Sequence, residues 1–358
     1  MKRALNILSS VKITVICLLL LFILTFWGTV AQVEHGLYAA QERYFFSIFF
    51  LAAGFIPFPG AQGVLWVLFV NLAASSITHF SKTRGWRSIG LKMSHLGVLI
   101  YFVAAFVTFH VTTESNVHLL EGEGTNVSSS YSEWELAFWS ETGDERKVTA
   151  YDVNNIKAGQ TFEMDDVKVT VGQFYLNCAA FKVSSSSEKK FPLNASGIGL
   201  LELKDMLKDR EKNVAGGVFN INGTDVVLYG LETIPTKVGN NYFLLRHKRY
   251  ELPFTIKLKD FKAEFHPGTQ VAKSYESLVE VIKPGAVREV RIFMNNPLRD
   301  KAYTFYQASY DIDESGREYS TLAVVRNSGQ LLPYIACFVV FFGLAFHFIV
   351  AALRRKQS

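Results

Sequence analysis

Eight histidines and three cysteines are the residues of this 358-residue chain whose chemistry could hold a metal or exchange electrons. Four of the histidines, His79, His95, His110 and His347, stand in or at the edges of apolar stretches long enough to cross a membrane. Ionisable groups at such depth are costly and mark functional sites by default. Position separates the four. His95 stands three residues inside Lys92, His79 three before Lys82, and His347 seven before Arg354, about 10 Å along a helix from that charge. All three therefore lie toward the same membrane side. His110 follows His95 by fifteen residues, about 22 Å along one helix, so these two cannot be axial ligands of one iron.

Two readings of His95 stand side by side. One is a neutral imidazole hydrogen-bonded to a neighbouring helix, with Ser94 beside it; the other is an axial ligand to haem iron, for which neutral imidazole is a common donor. His79 and His347 are weaker candidates for the same role. His110 suits an interface cap, and His35, His118, His247 and His266 are most simply surface or loop residues. No H-x-x-x-H, H-E-x-x-H or C-x-x-C-H occurs, which leaves a zinc enzyme and covalent c-type haem attachment unsupported. Cys17 and Cys337 sit inside apolar spans, so Cys178, in YLNCAAF, has no intradomain partner; a disulfide scaffold and a cysteine zinc site are excluded. Cys178 reads as a buried strand thiol, or as a redox-active thiol exchanging with a thioredoxin-like partner, although no neighbouring cation is visible to lower its pKa. No G-x-S-x-G, Walker loop or dinucleotide fingerprint is present. Glu163, Asp165 and Asp166 suit a solvated strand end, and Gly122-Glu123-Gly124 a turn.

The elements that must position these residues follow from hydropathy. The sequence predicts membrane helices at about 10–30, 63–80, 92–112 and 331–353, each near the length needed to cross about 30 Å of hydrocarbon. The first resembles a signal peptide at its start, but its apolar core is too long and lacks an obvious cleavage site, so a retained helix is expected. The aromatic segment 44–58, ending in Pro57-Phe58-Pro59-Gly60, suits lying in the interface. The basic groups Lys2/Arg3/Lys12, Lys82/Arg84/Arg87/Lys92 and Arg354/Arg355/Lys356 fall on one side when four spans are drawn, which places both termini in the cytoplasm and residues 113–330 outside it. That exported region alternates apolar and polar residues at 167–171, 226–230, 254–265 and 289–293, with a hairpin signal at Asn222-Gly223. Residues 201–212 suit a short helix or an exposed loop. The expected architecture is thus an α+β membrane protein: an N-terminal three-helix region (1–112), a large β-rich extracytoplasmic domain between spans three and four (113–330), and a last helix with a basic tail (331–358). The net charge of +5 is explained by the clusters flanking the spans, and no basic patch interleaved with aromatics points to nucleic acid.

Taken in order, SSVKITVICLLLLFILTFWGT, the segment ending in PFPG, NLAASSITHF, KMSHLG and MNNPLRDKAYTFYQASYD resemble the ResB (CcsB) family of system II cytochrome c biogenesis across essentially the whole chain. The resemblance implies a subunit that, with a tryptophan-rich membrane partner of the ResC (CcsA) type, carries haem b outward and supports its attachment to apocytochrome c. It implies that His95 is the family's transmembrane haem ligand, with the opposing histidine supplied by the partner, and it lends Cys178 some support as a thiol of the exported domain. The five tryptophans form no haem-handling cluster, so an unfused subunit is expected, incomplete as a synthase (haem lyase) on its own. Lys92 or Arg84 could meet the haem propionates. A scaffold without haem ligation and a small b-type electron carrier using His95 with His347 or His79 are the alternatives.

Overall fold

The structure is a computed structural model, and it describes residues 2–82, 85–140, 147–154, 156–164, 167–182, 194, 196–269, 271–313 and 315–355. The chain divides into two units, Met1–Thr113 with Arg326–Ser358, and Glu114–Val325. The first holds α1 (Lys2–Leu8), α2 (Val11–His35), α3 (Leu37–Ala40), α4 (Ala61–Lys82), α5 (Ile89–Val111) and α6 (Leu332–Arg355). Among the described residues four helices, α2, α4, α5 and α6, have the length and hydropathy to cross a membrane. With the β-rich region between the third and fourth of them, this is the α+β membrane architecture that the sequence leads one to expect.

Local chemistry sets the helix ends. Ser10 caps α2 by accepting from the Lys12 amide, and Gly36, at φ 83°, closes it in a conformation that glycine adopts without strain. Asn71, buried in α4, ties that helix to the chain around α2: its Oδ1 accepts from the Thr14 hydroxyl at 2.7 Å, and its Nδ2 donates to the carbonyls of Leu8 and Ser10. In hydrocarbon such polar groups have no water to turn to, so they pair between segments. The aromatic stretch after α3 makes a π-helical turn (Gln41–Phe45) and then a hairpin of β1 (Phe49–Ala52) and β2 (Ile56–Pro59). Tyr44, Phe50 and Phe58 gather around Trp27 of α2, while Phe49, Leu51 and Phe55 are exposed.

Helices α5 and α6 meet through small residues. Gly90, Ser94 and Gly97 form the buried stripe of α5, and a Cβ placed on Gly90 would lie 2.6 Å from both the Gly343 carbonyl oxygen and the His347 nitrogen. A Cβ on Gly343 would lie 2.7 Å from the Ser94 nitrogen. The two backbones are therefore in direct contact, the packing that small-residue stripes permit in membranes.

The second unit carries β3 (Thr113–Leu120), β4 (Gly124–Ser140), β5 (Thr149–Asp152), β6 (Thr161–Met164), β7 (Val167–Tyr175), β8 (Cys178–Lys182), β9 (Ile198–Leu203) and β10 (Gly216–Ile221). It continues with β11 (Thr224–Tyr229), β12 (Thr236–Val238), β13 (Asn241–Phe265), β14 (Ala272–Lys283), β15 (Ala286–Phe293), β16 (Leu298–Asp300), β17 (Tyr303–Ile312) and β18 (Glu318–Arg326). A ten-stranded sheet runs β15-β14-β13-β4-β3-β18-β17-β16, with β12 and β5 added beside β13 and β4; a four-stranded sheet runs β11-β10-β7-β6, and β8 pairs β9. Two cores result. Trp134, Leu136, Phe219, Phe243 and Leu245 belong to one, and Val117, Ile256, Leu258, Val279 and Phe305 to the other. The 25-residue β13 passes through both and bridges them. Asn222 and Gly223, at φ 48° and 89°, make the turn between β10 and β11 that their sequence signals. Of residues 201–212, the first three close β9 with Leu201 buried, 204–209 form an exposed stretch and Arg210–Lys212 a short 3-10 turn, so the loop alternative holds from 204 onward and the first three residues fit neither alternative.

Candidate functional site

The stripe Gly90–Ser94–Gly97 turns one face of α5 to α6, and His95 stands one position past Ser94, about 100° around the helix. Its ring is thereby turned to α4. Nδ1 of His95 lies 3.2 Å from the hydroxyl oxygen of Ser76, and the ring is 6.4 Å from that of Phe80. Lys92, one turn earlier on α5, places its ammonium 5.6 Å from the centre of the same Phe80 ring. His95 is half-buried, and Ser76 is buried at 3% exposure. Ser94, the neighbour the sequence suggested for His95, instead donates to the Gly90 carbonyl at 3.0 Å and lies beneath Gly343. Ser76 and Phe80 are the partners that sequence reasoning missed, although a span carrying Asn71, Ser75 and Ser76 suits packing against protein more than lipid.

The other intramembrane histidines are placed differently. His347 is half-buried on α6, its backbone pressed against Gly90 and its ring 5.6 Å from that of Phe348. Gly90 lies about 140° around α5 from His95, so the two histidines address different faces of that helix. His110 is exposed; its Nδ1 donates to the Phe106 carbonyl at 2.9 Å and its ring packs on Phe106 at 4.2 Å. The side chain of His79, and Arg84 altogether, lie outside the described residues. Beyond His95 along the same two helices is an apolar cleft of about 390 Å³, lined among others by Leu65, Trp66, Phe69, Phe102 and Phe106. His95, Ser76 and Phe80 are not part of its wall.

In the β unit, His118 is an exposed strand residue, in keeping with a surface position, whereas His247 is a half-buried strand residue and neither surface nor loop. His247 stacks on Trp134 with ring centres 4.0 Å apart, its Nδ1 is enclosed without a hydrogen-bond partner among the described residues, and burial lowers its pKa. His118 pairs its Nδ1 with the Thr321 hydroxyl at 2.9 Å. His35 and His266 are exposed. Cys178 is buried at 4% exposure among Ile198, Leu201, Val218 and Val227, and burial pushes its thiol pKa up to about 11. At neutral pH it is a protonated thiol, whereas exchange requires an accessible thiolate. Glu163 is an exposed strand residue facing Lys168 across β6 and β7, and Asp165 and Asp166 lie outside the described residues. Among the described residues no three His, Cys, Asp or Glu side chains converge into a metal cluster.

The donor set around His95 suits one axial position of a haem iron. It offers one imidazole with Nδ1 beside a neighbouring hydroxyl, as metal-ligating histidines commonly have, and the Lys92 ammonium one turn earlier on the same helix.

Residues 214–317 match the model described as the ResB-like family. Protein NrfI of Wolinella succinogenes is 24% identical over 302 residues, which cover 80% of this chain and 30% of that protein. The chain thus spans less than a third of the length of that relative. Among solved structures, one titled cytochrome c heme lyase CcmF superposes with a TM-score of 0.23 at 11% identity, over 92% of this chain and 34% of that chain; a likeness of that size carries no argument.

Proposed function

We propose that this chain, whose residues 214–317 match the ResB-like family, is a membrane subunit of a system II cytochrome c maturation complex, acting on haem as cargo. The family match supports a role in cytochrome c biogenesis at large. The finer reading is that the subunit receives haem b at the cytoplasmic side, helps carry it outward and supports its attachment to apocytochrome c. A tryptophan-rich ResC/CcsA-type membrane protein is the proposed partner, and it supplies the opposing iron ligand.

The observation that carries this reading is the placement of His95: an imidazole in a membrane-length helix, oriented by Ser76, with Lys92 on the same face. His95 would hold the iron and Lys92 would meet a propionate carboxylate, a charge-assisted pair of the stronger kind. Haem is apolar apart from iron and propionates, so a site between helices removes the macrocycle from water while satisfying its polar ends. With the basic clusters facing the cytoplasm, His95 lies at the entry side and the β unit outside, where apocytochrome is met. Attachment of cysteine thiols to haem vinyl groups demands alignment of the two reactants more than an acid or nucleophile from this chain.

The test is replacement of His95 by Ala and by Gly in the complex purified from native membranes. Haem content falls in both variants, and added imidazole restores the Soret band of His95→Gly. Unchanged haem content would sink the ligand assignment and leave the scaffold reading.

A further inference from the structure

We infer that the helical unit binds an isoprenoid quinone, in a cleft apart from His95 and toward the helix ends away from Lys12 and Lys92. Two cavities adjoin there. The apolar cleft of about 390 Å³ lies between α4 and α5, where Trp66 packs on Phe106 with ring centres 5.6 Å apart and Phe69 on Phe102 at 5.8 Å. A second cavity of about 350 Å³ lies between the end of α2 and the π-helical turn, and Thr29, Gln32 and Gln41 give it a polar wall. Phe45 and Phe46 belong to both walls and so stand between the two cavities. The π-helical turn, in which the Phe46 amide donates to the Gln41 carbonyl at 2.9 Å, is of a kind that recurs at functional sites. Phe45 is seated against Gly28, where a Cβ would come within 2.6 Å of its ring, and Phe46 packs edge-on to Phe109 of α5 at 5.0 Å.

Depth and charge define what fits. Gln32 stands three residues before the end of α2, about 4.5 Å along the helix, whereas Phe69 stands eight residues into α4, about 12 Å. The polar cavity is thus near the membrane interface and the apolar one runs toward the bilayer centre, the order of head and tail in a lipid. Among the described residues neither wall carries an ionisable side chain. A phosphate or carboxylate head would find no cation to pair with, and haem would find neither an imidazole for its iron nor a charge for its propionates. What the walls offer is two primary amides, Gln32 and Gln41, whose N–H groups donate to carbonyl oxygens, and two phenyl rings on which a flat head stacks. A quinone head has those features: carbonyl oxygens on the edge of a planar, uncharged ring. Its branched tail passes Phe46 into the apolar cleft, among Leu65, Trp66 and Phe69. A largely apolar cavity of this size, with a few polar groups that fix orientation, is the usual form of a small-molecule site.

The full-length chain in phosphatidylcholine nanodiscs is titrated with decylubiquinone as wild type, Gln32→Leu, Gln41→Leu and Leu65→Phe, with quenching of tryptophan fluorescence as the readout. Wild-type quenching saturates. Each Gln→Leu change removes an amide donor at similar volume and weakens binding about 10-fold, the effect of one lost hydrogen bond. Leu65→Phe narrows the path of the tail: it weakens decylubiquinone binding and leaves that of the same quinone without a tail unaltered. Gln32 and Leu65 are exposed, so these two replacements leave the fold standing, which the melting temperature of each variant verifies. Quenching that rises in proportion to added quinone without saturating is partition into the bilayer; it shows the cleft filled by the nanodisc phosphatidylcholine and overturns the inference. Saturable binding that neither Gln32→Leu nor Leu65→Phe alters overturns it as well, because the quinone is then held elsewhere.

Discussion

The packing of α5 on α6 allows a perturbation whose size can be worked out. In Gly90→Ala the new Cβ would stand 2.6 Å from the Gly343 carbonyl oxygen and from the His347 nitrogen, whereas ordinary contact begins near 3.4 Å. Both obstructing atoms are backbone, so neither can swing aside, and the helices must part by about 0.8 Å, the difference of the two distances. Overpacking of that kind typically costs about 1–3 kcal/mol. Gly343→Ala meets the Ser94 nitrogen and side chain at 2.7 Å and the Gly90 carbonyl at 2.8 Å, and requires nearly the same separation. Once one substitution has parted the helices the other adds little, so the double variant should cost less than the two single effects together. Val103→Ala, on an exposed face of α5, is the control and should cost far less. Thermal unfolding of the full chain in detergent, read by tryptophan fluorescence, gives the four costs. Additive effects, or a Gly90→Ala variant as stable as the control, would refute the claim that these backbones touch.

Two further outcomes follow from the β unit. Burial lowers the pKa of His247, so the neutral ring is the form the fold favours; the unfolded chain, with an ordinary histidine pKa near about 6.5, then binds more protons than the folded one. The stabilisation is complete above that unfolded value and is lost as pH falls toward the lower folded one. Denaturant midpoints of the wild type should drop across this window, and His247→Phe should lessen the drop, leaving the share of His118, whose pKa burial also lowers; an unaltered slope would contradict the assignment. Cys178, buried and with a pKa of about 11, should resist a water-soluble maleimide at pH 7.5 until the chain is unfolded, and Cys178→Ala should leave cytochrome c maturation intact. Rapid labelling of the folded chain would show a thiol more open than the structure has it.

What could be read from the sequence depended on how local the cause was. A run of apolar residues of membrane length needs nothing distant to be a helix, and Asn222-Gly223 needs only its own backbone freedom to turn a hairpin. Strand β13 is the opposite case. Its alternation is legible from residue 254 onward, but the strand begins at Asn241, and the intervening RHKRYE shows no apolar and polar alternation. Partners far along the chain hold that stretch in place. Arg246 pairs with buried Glu135 at 2.8 Å, Lys248 with Asp152 at 2.8 Å, and the Tyr250 hydroxyl donates to Glu133 at 2.9 Å. Two irregularities of register, after His247 and after Glu251, break the period of two just where the pattern fails.

The site shows the same division. That His95 is an imidazole within a membrane span is written in the sequence, and so is the stripe Gly90, Ser94, Gly97 on the same helix. What the sequence withholds is rotation: which neighbour takes the stripe and which takes the histidine. Small residues at that spacing demand a partner backbone in close approach, and α6 supplies it through Gly343 and Val340. Once that face is occupied, the helical geometry carries the next residue about 100° away. There it meets α4, whose Ser76 comes nineteen residues earlier in the chain, a relation that no local pattern encodes. The glycines thus do more than let two helices pack. They fix the angle at which the imidazole is presented, so the 0.8 Å separation expected for Gly90→Ala would move His95 relative to Ser76 as well as weaken the pair. A haem affinity that falls in Gly90→Ala in step with its lost stability would be the functional trace of that coupling.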